Sequence, residues 1–159
     1  MSKRYHKLRP PAATPADEIC HCAGEEPVQL QTHLSYNPVT CVVCNLEVGP
    51  ERLRLPEQIQ EKIASWRAAY ESIYLLWLDS REYEAWALDQ LVPSQSPANR
   101  RALELVSEMN SYRRTYFWWF LGPGVPEDRV PTGCPSCGSQ LSGRCGRLVC
   151  DPCSVIVEF

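Results

Sequence analysis

The chain has 159 residues, nine of them cysteine and fourteen proline, with 44% hydrophobic and 22% charged side chains and a formal net charge of −3. That length holds one ordinary domain, or one domain with small appended modules, and the apolar content excludes a wholly disordered chain. The longest greasy run, Tyr116 to Leu121, falls far short of the ~18–20 residues that cross a bilayer, so no membrane partner is expected.

Charge is uneven along the chain. Residues 1–15 carry Lys3, Arg4, Lys7 and Arg9 and no acid, residues 16–110 hold seven basic against fifteen acidic side chains, and residues 111–159 hold five against four. The first segment, residues 1–16, reads as a flexible or polyproline-like basic leader through Pro10, Pro11 and Pro15. It lacks the apolar stretch of a secretory signal. A cytoplasmic location is therefore expected, where thiols stay reduced and a disulfide scaffold is disfavoured.

Residues 17–55 form a cysteine-flanked segment. Val28, Leu30, Thr32 and Leu34 alternate with Gln29, Gln31 and His33, the period-2 pattern of a half-buried strand, and Asn37-Pro38 marks a turn. Pro56 suits the first turn of a helix. Ile59, Ile63, Trp66, Tyr70, Ile73 and Trp77 then recur at spacings of three and four, one face of an amphipathic helix. Ser80 with Glu82 and Glu84 starts a second, shorter helix through Leu91, with Tyr83, Trp86 and Ala87 inward. Ser96-Pro97 caps and opens a third, carrying Leu103, Val106 and Met109 on one face. The run TYFWWFL predicts a strand buried on both faces. A Pro/Gly/acid linker at 122–133 leads to a last module at 134–159, which ends on a second strand candidate, SVIVEF.

The cysteines carry the chemistry. Cys134-Pro-Ser-Cys137-Gly is followed, after twelve residues, by Cys150-Asp-Pro-Cys153. A Cys-x-x-Cys turn puts two sulfurs on one side of a tight loop, a glycine after it eases the backbone, and two such turns complete a metal tetrahedron at Zn–S distances of about 2.3 Å. The earlier set is Cys20-His21-Cys22, then eighteen residues, then Cys41-Val-Val-Cys44. His21 and His33 are substitute ligands there, although four cysteines suffice. Four half-sites can pair in three ways, and sequence alone leaves the pairing open.

The metals expected are two structural zinc ions. Iron in a rubredoxin-type site is the rival, and a thioredoxin-like dithiol is disfavoured because neither late pair opens a helix after a strand. A zinc ion filled by four thiolates has no open position at which to activate water. Its binding free energy of roughly 10–16 kcal/mol matches a domain's whole net stability of ~5–15 kcal/mol. Cys145 is left over as a spare thiol.

The order of these features resembles a family of bacterial zinc-ribbon-containing proteins associated with nucleic-acid binding. The matching stretches are CHC with QLQTHLSYNPVTCVVCNLEVGPERLRLP, the helix SWRAAYESIYLLWLDS and the late CPSCG…CDPC, and together they cover most of residues 19–155. The resemblance implies Cys20, Cys22, Cys41, Cys44, Cys134, Cys137, Cys150 and Cys153 as ligands. The basic leader, Cys145 and the aromatic density of TYFWWFL depart from its pattern.

The fold class expected is α+β: zinc-ribbon modules at 17–55 and 134–159 flanking a helical middle with an aromatic strand at 56–121. Two functions follow. The first is nucleic-acid binding or regulation, with Arg113, Arg114, Arg144, Arg147 and the leader on phosphates and ribbon aromatics stacking on bases. The acidic middle opposes it, and no base-reading motif is present. The second is a protein-interaction or adaptor module that uses the ribbons and exposed aromatics, although helix and strand periodicity assigns Trp66, Trp77, Trp86, Trp118 and Trp119 to the core. No phosphate-cradling glycine loop, Ser/His/Asp set or His-Glu-x-x-His motif is present, so no enzyme is expected. The one catalytic variant weighed is a redox role for Cys145 beside a ribbon pair, which requires a low-pKa thiol.

Overall fold

The computed structural model describes residues 14–32, 36–123, 125 and 131–157. The leader's first thirteen residues, His33, Leu34 and most of the 124–130 linker lie outside them. A short 3-10 turn at Ala16–Glu18 precedes strands β1 (Val28–Leu30) and β2 (Val39–Cys41). Four helices follow: α1 (Pro50–Leu53), α2 (Glu57–Asp79), α3 (Glu84–Leu91) and α4 (Pro97–Met109). Strands β3 (Thr115–Trp118), β4 (Ser142–Arg144), β5 (Arg147–Cys150) and β6 (Val155–Val157) are the remaining elements among the described residues.

All six strands share one sheet in the order β2-β1-β3-β6-β5-β4. The N-terminal hairpin (β1–β2) and the C-terminal meander (β4–β5–β6) are antiparallel, while β3 joins them by running parallel to both β1 and β6. The aromatic run is thus the central strand, and Thr115, Tyr116 and Phe117 are buried as expected of a strand covered on both faces. A parallel neighbour needs a crossover connection, and the helices supply it between β1 and β3.

One continuous core draws on every segment. On the helix side of the sheet, Leu30, Val39, Phe117, Val155 and Val157 meet Ile63, Trp66, Tyr70, Leu91, Val106 and Met109. Phe117 lies edge-on to Trp66 and Tyr70, with ring centroids 6.1 and 6.0 Å apart, within the range of favourable T-shaped pairs. The opposite face carries a smaller cluster of Val42, Tyr116, Val149 and Ile156 with Trp118 against it. No described helix joins this second cluster.

The predicted helix faces hold in most places. Ile59, Ile63, Trp66 and Tyr70 of α2 are buried, and Ile73 and Trp77 partly so. Ser96 caps α4 by accepting from the Asn99 N–H, with Pro97 in its first turn, while the Asn99 amide donates to the Leu91 and Pro93 carbonyls at 2.8 and 3.0 Å and ties α3 to α4. The short α1 has no counterpart in the predicted elements.

Two expectations are corrected. In α3, Ala87 and Leu91 face inward, but Trp86 and the N-cap Tyr83 are 49% and 55% exposed. Ala87 lies about 100° around the helix from Trp86, so one face cannot bury both; the smaller residue won, packed where α3 approaches α2 and α4. In β1, the alternation that suggests a wetted face instead hides Gln29 completely. Its amide donates to Gln31 Oε1 at 2.7 Å and Asn45 Oδ1 at 2.9 Å and its carbonyl accepts from Arg147 at 2.7 Å, so the buried polar atoms are satisfied.

Candidate metal centres

The eight predicted cysteines converge in two groups, Cys20, Cys22, Cys41 and Cys44, and Cys134, Cys137, Cys150 and Cys153, each with its four sulfurs within 4.8 Å of one another. The half-sites therefore pair sequentially. Sulfurs bound tetrahedrally at about 2.3 Å from a zinc would stand roughly 3.8 Å apart, and the Cys137–Cys150 sulfur distance is 3.8 Å. Either group can hold a metal ion. Among the described residues no histidine enters a group: the His21 ring bonds the Ala16 carbonyl at 2.9 Å, and His33 lies outside the described residues.

Local backbone explains the convergence. The residue after each Cys-x-x-Cys turn adopts the left-handed conformation: Asn45 at φ 60°, Gly138 at 75° and Ser154 at 54°. That twist lets the chain fold back over its own sulfurs. Asn45 N–H reaches the Cys41 carbonyl at 2.8 Å, Gly138 N–H the Cys134 carbonyl at 2.8 Å, and Ser154 N–H the Asp151 carbonyl at 3.3 Å. Gly138 supplies the conformation without steric cost; asparagine is the commonest non-glycine substitute. Ser136 N–H also points at the Cys134 sulfur, 3.4 Å away, as expected of a turn built to receive a thiolate.

The N-terminal centre sits between β2 and the start of the helical layer, with Cys20 and Cys41 buried. Arg52 of α1 donates to the carbonyls of Cys20 and of Cys22, the latter at 2.7 Å. Arg113 in turn donates to the Glu26 carbonyl at 2.8 and 3.0 Å and to the Arg52 carbonyl at 3.1 Å. Two guanidiniums thus brace the loop that bears Cys20 and Cys22. Burial lowers the Arg113 pKa from its ordinary value, with the Arg52 cation adding to the effect.

The C-terminal centre lies in the β4–β6 meander, where Cys137 is exposed. Its brace is a carboxylate inside the second turn. Asp151 accepts from the Tyr116 hydroxyl at 2.5 Å, Arg114 at 2.8 Å and Arg144 at 3.2 Å. The Arg114 guanidinium also lies over the Tyr116 ring, 4.5 Å from its centroid. The Tyr116 hydroxyl and then the two arginines hold the Asp151 carboxyl below its usual range against the opposing effect of burial.

The thiols behave as sets. Burial pushes Cys20 up, but the Cys22 backbone N–H and the neighbouring thiols outweigh it and bring Cys20 down to about 7, whereas its partner Cys22 is pushed up to about 12 by Cys44 and then Cys20. In the second set the Ser139 hydroxyl and N–H bring Cys137 down to about 6, while burial, then Cys137, raises Cys153 to about 12. In each set the thiolate that forms readily accepts hydrogen bonds from its neighbours, which therefore hold their protons more tightly, with burial adding to the effect and like-charge repulsion the smaller cause. A divalent cation removes that obstacle and displaces the protons.

The four arginines expected at phosphates are all engaged within the fold. Arg113 braces the N-terminal centre, whereas Arg114, Arg144 and Arg147 gather with Tyr116 and Trp118 on the sheet face that the helices leave uncovered. Cys145 joins neither centre; it occupies, with Gly146, the two-residue left-handed turn between β4 and β5 and is exposed. Sequence reasoning missed Arg52, Asp151 and Tyr116 as braces, and the Asp-Pro inside the last turn was the only local signal for one of them. No helix among the described residues is long and apolar enough to cross a membrane. No protein-family model matches the chain, and neither a curated protein nor a solved structure matches it.

Proposed function

We propose that this chain is a zinc-stabilised binding protein that acts by contacting another protein, with two structural zinc ions and no catalytic centre. The observation that carries the protein-contact reading is the exposure of Trp86 on α3 and of Tyr83 at its N-cap, beside Leu76 of α2, in a chain that buries Trp66 and Trp119 completely. Exposed tryptophan and tyrosine side by side are enriched where proteins meet. The zinc assignment rests on all-sulfur donor sets closed on four sides, which leave no site for water. Elemental analysis of protein purified without added metal is expected to find about two zinc ions per chain; iron in their place would replace the assignment.

Nucleic-acid binding is the second reading, favoured by the gathering of Arg114, Arg144 and Arg147 near Trp118 on one sheet face. Their existing partners weigh against it, since a phosphate must compete with the Asp151 carboxylate for two of the three. The readings separate by salt dependence. Single-stranded DNA and RNA binding that falls with a log–log slope of about −0.7 per phosphate contacted supports the second reading. Absence of such binding at about 50 mM salt leaves protein contact.

A further inference from the structure

We propose that the groove between α2 and α3 docks a basic, amphipathic segment of a partner protein. The inference rests on the protein-contact reading and gives it a site and a partner chemistry. Leu76, Tyr83 and Trp86 line an apolar cleft of about 330 Å³ at the C-terminal end of α2. It is large enough for a bulky side chain, and its walls include the two aromatic types that most often carry binding energy.

Charge around the cleft selects the occupant. Residues 72–91 hold Asp79, Glu82, Glu84 and Asp89 against one cation, Arg81, and all five are exposed. None of the four acids forms an ion pair with another described residue. Asp79 is three residues beyond Leu76, and Asp89 three beyond Trp86, so each carboxylate stands on the same helix face as a cleft residue. The cleft also lies where α2 presents the negative end of its dipole. Lysine or arginine flanking an apolar anchor meets carboxylates and a helix C-terminus, and the face of Trp86 offers a cation–π contact. A nucleic acid would meet repulsion here. So would a second copy, since a two-fold contact through the cleft sets the same acids against each other.

The test uses the full-length, metal-loaded protein and three synthetic helical peptides of about 18 residues, with one leucine stripe in common and lysine, glutamine or glutamate at every other position. Calorimetry is expected to show binding of the lysine peptide that weakens as salt rises. Trp86→Ala, and separately Glu82→Lys with Glu84→Lys, are expected to weaken it at least about tenfold. All these side chains are exposed, and an unchanged circular dichroism spectrum checks that the variants fold.

Equal, Trp86-dependent binding of all three peptides would overturn the basic partner and leave the protein-contact reading intact. No binding by any peptide would remove both. Lysine-peptide binding indifferent to Trp86→Ala would be general charge attraction and overturns the site. A dimer lost on Trp86→Ala gives the cleft to a second copy. Tighter peptide binding after removal of residues 1–13, which carry Lys3, Arg4, Lys7 and Arg9, gives it to the chain's own leader.

Discussion

The two four-cysteine centres use the same local turn but solve the problem of holding it still in opposite ways. The N-terminal centre is braced by cations on carbonyls, with Arg52 on the chain at Cys20 and Cys22 and Arg113 behind it. The C-terminal centre is braced by an anion inside its own turn, Asp151, which collects Tyr116, Arg114 and Arg144. The first braces are partly buried and reach across the fold; the second form a network that runs from the central strand β3 to the edge strand β4, with the Asp151 and Arg144 side chains 42% and 45% exposed. A partly buried guanidinium held by two carbonyls gives up its partners less readily than a carboxylate with 42% of its side chain exposed, which can exchange them for water. The N-terminal centre should therefore be the less yielding of the two, although both feed strands into the same sheet.

The largest effect that tests this contrast is metal removal. A structural zinc in each centre would contribute roughly 10–16 kcal/mol of apparent binding, as much as a domain's net stability, so stripping the metal from both is expected to abolish the cooperative thermal transition. Release should come in two phases when a chelator is added to the loaded protein and freed thiols are counted. The faster phase belongs to the centre containing exposed Cys137, the slower to the centre with buried Cys20 and Cys41. A single phase releasing both metals together would break the comparison and make the sheet one metal-linked unit. Acid works in the same direction at both centres, because protons compete with metal for the thiolates and affinity falls as pH falls.

Single-ligand variants sharpen the same point. Cys41→Ser removes a fully buried sulfur at the end of β2, and Cys137→Ser an exposed one in a turn. Cys41→Ser is expected to lower the melting temperature by roughly twice as much, since it loses a ligand and also buries a hydroxyl. Equal losses would show that both centres contribute through metal binding alone.

What was legible in the sequence tracks how local the physics is. A Cys-x-x-Cys turn or a Cys-x-Cys pair is decided within five residues, so the eight sulfurs could be named, as could the Ser96 cap and the inward stripe of α2. The order of the sheet could not be read, because the parallel pairing of β3 with β1 and β6 joins residues 87 and 38 positions apart in the registers Gln29–Tyr116 and Trp118–Ile156. Arg113 shows the limit most plainly. An arginine beside a second arginine looks the same in sequence whether it faces a phosphate or a backbone carbonyl, and every residue supplies a carbonyl. Trp86 failed for another reason: α3 is only eight residues long, and in two turns the stripes through Ala87 and through Trp86 are equally regular.

Brace variants come next in size. Arg113→Ala removes a charged donor from two carbonyls, and hydrogen bonds to charged groups contribute about 1.5–3 kcal/mol. The loss should appear in chemical denaturation and should speed metal release from the N-terminal centre only. Arg113→Lys is expected to recover little, because one ammonium cannot reproduce the guanidinium fork that spans the Glu26 and Arg52 carbonyls.

The smallest effect is expected from Asp151→Asn. The amide keeps an oxygen in place to accept from the Tyr116 hydroxyl, and what it loses is the charge that Arg114 and Arg144 face. With these side chains 37–45% exposed, solvent screening limits the loss to about 1 kcal/mol or less. Its pH dependence follows from the direction of the shift. A carboxyl held below its usual range contributes stability above its unfolded pKa and loses it as pH falls through the lower folded value. The difference between wild type and Asp151→Asn should thus stay constant from about pH 6 to 8, where the carboxyl remains ionised. Over the same range metal release quickens with acid in both proteins. A difference that grew or shrank across that window would mean that Asp151 acts on the thiolates themselves rather than on the turn that carries them, and the two centres would then differ in chemistry as well as in bracing.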